Sequence, residues 1–208
     1  MNFNLGRGYS VILMSVRRNA PYKDRFGDDG STIVYEGHDV PKGLDVPNPK
    51  AIDQVAIMPS GVKTQNGLFY EAATLFKDGK RAAALVKVYE KIHQGIWSYN
   101  GMFRLTDAWI EKTELRSVFK FKLVAAESTE DVDAATPESE TEHRRIIPTP
   151  VKMEVWKRDG GKCVVCGATT ELHFDHDLPY SKGGTSLTPA NVQLMCARHN
   201  LSKGAKII

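Results

Sequence analysis

The chain is poor in cysteine, in long apolar runs and in net charge, and each shortage removes a class of protein. Three cysteines in 208 residues are too few for a disulfide framework, and all three fall between positions 163 and 196 at paired spacing. That is the pattern of metal thiolates in a reducing compartment. No apolar run approaches the roughly 20 residues of a membrane-spanning helix, so a membrane partner is not expected. The opening stretch, MNFNLGRGYS, has neither the apolar core nor the small-residue cleavage site of a secretion signal, and a cytoplasmic location is the expectation. A formal net charge of +3 is too small to name a partner by itself. No internal repeat is visible, which excludes a solenoid. What is there, 41% hydrophobic and 25% charged residues, is ordinary for a globular chain, with length for one large or two modest domains.

The charge lies unevenly. The segment 127–142 holds seven acids, no base and no large apolar residue. It buries too little to offset its ordering entropy, so a flexible acidic linker is expected over 127–145. Without it both flanks are more basic than the total implies. That suits a polyanionic partner, and equally an ordinary solvated surface.

Residues 8–126 read as a strand-rich domain with one helical region. Residues 9–16 are an apolar, β-branched run, hence a buried strand, and residues 31–35 repeat the pattern after the turn signal Gly27-Asp-Asp-Gly30. In 64–76 and 81–92 apolar residues recur at three- and four-residue spacing, broken by Asp78-Gly79. Two helices, or one broken helix, are expected there. Strand alternation returns at 101–110 and 117–124, and a second domain is expected over 146–208.

The second domain carries the chemistry. Cys163-Val-Val-Cys166 and Cys196-Ala-Arg-His199 are two close ligand pairs, and zinc takes four tetrahedral nitrogen or sulfur ligands, commonly as two such pairs. A domain of roughly 60 residues buries little apolar surface, so a structural Zn²⁺ is the expected staple. Gly160, Gly161 and Gly167 let the backbone turn around the first pair. His173 competes with His199 for the fourth position, and the C-x-x-H spacing favours His199. Between the pairs stands Leu172-His-Phe-Asp-His-Asp177. A period of two puts Leu172, Phe174 and His176 on one face and His173 and Asp175 on the other, with the strand end letting Asp175 and His176 turn toward one site. Imidazole is the side-chain base suited to neutral pH. Asp175 is a hard oxygen ligand for a divalent ion that offsets charge on a phosphate under attack. Asn200, in the first turn of a helix from 197 to about 203, supplies a second oxygen. Lys182 and Lys203 are candidate phosphate contacts.

These residues resemble the HNH endonuclease family, whose core is a ββα-metal fold. The resemblance implies that Asp175 binds a catalytic Mg²⁺ or Mn²⁺ and that His176 is the general base. It further implies that Asn191 orients His176 through the intervening loop. Asn200 stands as the final metal ligand, where the family's name has His and related members have Asn. The resemblance extends upstream to a lead-in helix and knuckle at 155–163, and downstream to the loop Pro179-Tyr-Ser-Lys-Gly-Gly184.

In the first domain, Pro21-Tyr-Lys-Asp-Arg25 and Val34-Tyr-Glu-Gly37 are similar to the base pocket of the SRA family, which recognises 5-methylcytosine. Tyr99-Asn-Gly-Met-Phe-Arg-Leu105 is similar to that family's Tyr-Asp-Gly motif, with Asn100 in place of Asp. The resemblance implies that a flipped base is held between Tyr22 and Tyr35, while a carboxylate accepts from the cytosine amino group. Asp24 is the first candidate, with Glu36, Asp28 and Asp29 as rivals, because the spacing is one residue longer than the family's. Arg17, Arg18 and Lys23 fall near the pocket edge, for phosphates. Strand aromatics also pack across strands, a second reading for both tyrosines. His38, His93 and His143 carry no functional expectation.

The expected whole is α+β: an SRA-like (PUA-like) β-barrel with flanking helices over 1–126, joined by the acidic linker to a small zinc-stapled ββα-metal HNH domain. That is the layout of modification-dependent restriction endonucleases, which act on double-stranded DNA containing 5-methylcytosine or 5-hydroxymethylcytosine. One HNH site cuts one strand, so a double-strand break takes a homodimer or successive nicks. The alternatives are a DNA nuclease indifferent to modification and a modified-DNA binder that does not cut.

Overall fold

The computed structural model describes residues 1–4, 6, 8–43, 46–126 and 146–204. The segment 127–145, expected as a linker, lies outside the described residues. The chain divides into two compact units. One comprises 1–28, 32–90 and 101–126; the other comprises 29–31, 91–100 and 127–208.

The strands expected to build a barrel form a six-stranded sheet. They are β1 (Ser10–Met14), β2 (Arg25–Phe26), β3 (Thr32–Glu36), β4 (Ala84–His93), β5 (Ile96–Lys112) and β6 (Ser117–Ala125), in the order β1-β4-β5-β6-β3-β2. β1 runs parallel to β4, and β3 runs antiparallel to β2 and β6. β5 runs antiparallel to β6 with a bulge at Thr106, where the register steps from Leu105 to Asp107. Helix α1 (Gln65–Lys77) lies against β6 with Phe69 on Phe121 and Tyr70 on Phe119. Thr64 caps it by accepting from the Gly67 amide, and Asp78-Gly79 ends it, Gly79 having φ of 68°.

Residues 81–92, expected as helix, are β4 instead. Val86, Val88, Glu90 and Ile92 are buried in alternation. The β-branched and aromatic side chains of Val86-Lys-Val-Tyr89 suit a pleated surface, and pairing with β1 and β5 outweighs a short helical spacing pattern.

The second unit contains α2 (Thr149–Arg158), the antiparallel pair β7 (Leu172–His176) and β8 (Val192–Cys196), and α3 (Ala197–Lys203). Ile147, Val151, Val155, Val192 and Leu194 form its small core, covered by Trp156, Leu172 and Phe174. The end of α2 grips β8. Asp159 accepts from the Leu194 amide at 2.9 Å, and Arg158 donates to the Val192 carbonyl at 2.7 Å. In the same unit Asn100, which replaces the motif's Asp, accepts from the buried Lys152 at 2.6 Å. Among the described residues no helix is long and apolar enough to cross a membrane.

Gly67 brings α1 so near its neighbour that an added Cβ would overlap the Ala56 carbonyl oxygen. Gly67→Ala is therefore expected to lower stability by roughly 1–3 kcal/mol, seen as a lower denaturation midpoint. An unchanged midpoint would count against this close approach.

Candidate functional site

Cys163 and Cys166 sit on a tight turn in which the Gly167 amide donates to the Cys163 carbonyl at 2.8 Å. Cys196 closes β8, and His199 lies in the first turn of α3. The ligand atoms of these four residues all fall within 4.8 Å of one another. Cys166 Sγ is 3.9 Å from Cys196 Sγ, and His199 Nδ1 is 3.6 Å from Cys163 Sγ and 3.2 Å from Cys196 Sγ. A tetrahedral ion bound at about 2.3 Å to sulfur and about 2.0 Å to nitrogen sets ligand-to-ligand edges of about 3.6–3.8 Å. The donor set therefore fits a four-coordinate metal. Burial pushes the Cys163 thiol up, but the backbone amides of Cys196, Cys166 and Val165, with the His199 ring, hold it at about 6. The thiolate, which is the ligating form, prevails at neutral pH. His173 stands apart from this cluster, its Nδ1 accepting from Asn200 Nδ2 at 3.1 Å.

Helix α3 brings a second group of residues onto β7. Asn200 and Lys203 are three residues apart and share a helix face; His173 and Asp175 are two apart and share a strand face. Asn200 meets His173, and Lys203 meets Asp175. Lys203 Nζ lies 2.8 Å from Asp175 Oδ2 but donates along the His176 carbonyl at 2.6 Å. Asp175 Oδ2 is thus buried beside a cation with no aligned hydrogen bond. Its charge is offset by Lys203; of the groups gathered here the Asp175 carboxylate is the one whose chemistry suits a hard cation, which would have to share or displace that ammonium. Two expectations change here. Lys203, expected at the surface as a phosphate contact, has a fully buried side chain. Asn200, expected beside Asp175 as a second ligand, directs its amide nitrogen to His173. Lys182 is exposed, on a short 3-10 turn.

His176 turns into the loop after β7, where Nε2 is 2.7 Å from Ser186 Oγ. Burial lowers its pKa, Asp175 opposes and Lys203 adds to the lowering. The imidazole is neutral at physiological pH, the form a general base requires. Asn191 acts one step removed. Its side chain accepts from the Leu178 amide at 2.8 Å and donates to the carbonyls of Leu178 and Thr185 at 3.2 and 2.9 Å. It closes the loop that presents Ser186. No motif marks Ser186 in the sequence; its role appears only once that loop is folded.

In the first unit the pocket residues gather around an imidazole. The rings of Tyr22 and His38 stack with centroids 5.3 Å apart and planes 16° from parallel. The Tyr35 hydroxyl is 2.7 Å from His38 Nε2, and Tyr35 is fully buried. Lys50 Nζ lies 3.9 Å from the Tyr22 ring centre. Asp24 accepts from the Ser15 and Glu36 amides, each at 3.0 Å. Burial raises its pKa to about 6 against the pull of those two amides. Glu36 pairs with Lys120 at 2.8 Å and lies 3.6 Å from Arg116, while Asp39 is held by Arg116 at 2.6 Å and Lys50 at 2.8 Å. Asp28 and Asp29, the other candidate acids, are exposed in the turn before β3, as are Arg17 and Arg18 after β1 and Lys23. His38, Arg116 and Lys120 were missed from sequence. The cross-strand register of Glu36 opposite Lys120 is the signal that finds the last.

Residues 163–206 match the HNH endonuclease family. No curated protein matches the chain. Among solved structures it is similar to the SUVH5 SRA domain in complex with fully methylated CG DNA, at 22% identity over 57% of this chain and 64% of that one, TM-score 0.38. It is also similar to SUVH5 SRA bound to fully hydroxymethylated CG DNA, at 20% identity over 57% and 65%, TM-score 0.40. A third is the modification-dependent TagI restriction endonuclease, at 18% identity over 92% and 65%, TM-score 0.38. The chain spans less than two thirds of the length of each.

Wild-type protein is expected to carry a metal ion at the four-ligand cluster, measurable by elemental analysis. Cys166→Ser is expected to lose it, with Trp156 fluorescence shifting toward a solvent-exposed value as the small core loosens. Full metal retention by Cys166→Ser would exclude this ligand set.

Proposed function

We propose that this protein is a modification-dependent DNA endonuclease. Residues 1–126 read a flipped, modified cytosine in duplex DNA, residues 146–208 hydrolyse the phosphodiester, and residues 127–145 link the two. The observation that carries the reading is the second unit. There a Cys₃His ligand set ties α3 to β7–β8, so that Asp175 and a neutral, half-buried His176 meet through Lys203, within a segment that matches the HNH family.

Zinc is the ion that suits three thiolates and one imidazole, and its role is structural because no position is left open. Hydrolysis belongs to the second group. His176, held in one orientation by Ser186, takes the proton from the water that attacks phosphorus. Asp175 would hold Mg²⁺ or Mn²⁺, with Asn200 joining it once released from His173. Such an ion supplies positive charge for the phosphate and leaving oxygen. Lys203 keeps Asp175 against the base by bonding the carbonyl of the next residue. Each site cuts one strand, and a double-strand break takes a homodimer or successive nicks. A cytoplasmic setting accompanies free thiolate ligands.

In the reader, Tyr22 supplies a stacking face, and Asp24 supplies the acceptor for the cytosine amino group. Glu36 is already neutralised by Lys120 and Arg116, which favours Asp24 for that task. Exposed Arg17 and Arg18 are suited to phosphates.

The experiment is cleavage of otherwise identical 5-methylcytosine and unmodified duplexes with Mg²⁺ or Mn²⁺. Cleavage of the methylated duplex alone is expected. His176→Ala is expected to lose cutting by at least about 10²-fold while still binding the methylated duplex. Equal cleavage of both duplexes would leave a nuclease indifferent to modification; selective binding without cleavage would leave a reader.

Binding is also expected to follow Asp24 ionisation. Above about 6 the carboxylate accepts from the amino group; below that value it is protonated and loses acceptor capacity. Affinity for the methylated duplex should therefore fall as pH drops through about 6, measured by fluorescence anisotropy. Asp24→Asn should flatten that dependence.

A further inference from the structure

His38 lies against both tyrosines expected to hold a flipped base. Its ring lies on Tyr22 with the near-parallel geometry of a stacked base, 5.3 Å between centroids, and 6.1 Å from the Tyr35 ring. Its Nε2 meets the Tyr35 hydroxyl at 2.7 Å. The amino group of Met1 reaches the same ring, 3.2 Å from Nε2 and 3.4 Å from Nδ1. Tyr35 is wholly buried, so no base can meet its ring unless the group now beside it leaves. The imidazole is also chemically base-like. It is flat, heteroaromatic and uncharged, because burial and the Met1 amine hold its pKa near about 4.

The backbone around His38 is pinned by side chains other than those that hold its ring. Asn66 accepts from the His38 amide at 2.9 Å and donates to its carbonyl at 2.8 Å. Asp39 is locked by Arg116 and Lys50. A change at this position is thus a rotation of the ring about its side-chain bonds, not a loop movement.

We propose that His38 is the resident occupant of the base slot, an imidazole that stacks on Tyr22 and bonds Tyr35 until a flipped base displaces it. This rests on the reading of residues 1–126 as a base-flipping reader and adds the residue that sets how readily its slot opens. Every flipped base must displace the imidazole, so His38 lowers the apparent affinity of each by the same factor. The apparent affinity is the intrinsic one reduced by the fraction of molecules with the slot open.

Duplex binding by wild type, Tyr22→Ala and His38→Ala separates the possibilities, with thermal melting to verify folding. Wild-type preference for methylated over unmodified duplex tests the reader itself, and its absence there would remove the reading whatever His38 does. With that preference in place, His38→Ala is expected to bind the methylated duplex several-fold more tightly, and the unmodified duplex more tightly by no more than the same factor. Tyr22→Ala is expected to weaken binding. Weaker binding by folded His38→Ala, or unchanged binding, would overturn the proposal and make His38 a wall of the slot or a bystander. Should His38→Ala fail to fold, the wild-type ring is followed directly by NMR, with its Cε1–H resonance assigned by loss in His38→Gln. Methylated duplex is expected to move that resonance downfield as the ring leaves the Tyr22 face. A resonance unmoved at saturating duplex would equally overturn the proposal.

Discussion

The convergence of Cys163, Cys166, Cys196 and His199 governs the second unit. Its apolar core is a handful of side chains, too few to hold two strands and two short helices without a cross-link. The ligands are also the joints. Cys196 is both the last residue of β8 and the residue that leads into α3, and His199 lies one turn further on. Fixing them sets the angle at which α3 crosses β7, and so the pairing of Asn200 with His173 and of Lys203 with Asp175. The chemistry is downstream of the clasp, although the two groups share no residue.

Both units then place a cation against a largely buried carboxylate: Lys203 on Asp175, Lys120 on Glu36, Arg116 on Asp39. Burying such pairs has a desolvation penalty that their attraction roughly offsets, so they are poor explanations of stability. Their contribution is orientation. Glu36 and Asp39 flank His38 in the chain, and their partners anchor the end of β3 from which the imidazole projects. In the second unit the same device keeps Asp175 and the backbone of His176 on one ammonium.

What was legible in the sequence is what spacing alone determines. Two ligand pairs at three-residue separation, and a strand alternating around Asp175, follow from turn and strand periodicity. α1 was readable because Thr64 and Asp78-Gly79 mark its ends. The rest depended on neighbours the sequence does not display. β4 has apolar positions that satisfy helix and strand spacing alike, and only β1 and β5 decide between them. Lys120 reads as an outward residue until Glu36 is seen opposite. Lys203 and Asn200 were assigned by residue type to phosphate and metal, but a helix face presents both to β7, where Asp175 and His173 receive them. Ser186 and His38 lack any motif: Ser186 reaches His176 across a folded loop, and His38 meets Tyr22 through the fold.

The bulge at Thr106 has its own consequence. Before it, Phe103 and Leu105 face inward; after it, the partners step so that Asp107 sits opposite Lys122 and Ala108 opposite Phe121. The extra residue is a phase slip in a strand of 17 residues. Counting odd and even positions from Phe103 inverts inside and outside beyond that point. Loss of that extra residue would make the alternation continuous while leaving Asp107 opposite Lys122 and Ala108 opposite Phe121, so the far half of β5 would keep its facing and lose only the local kink.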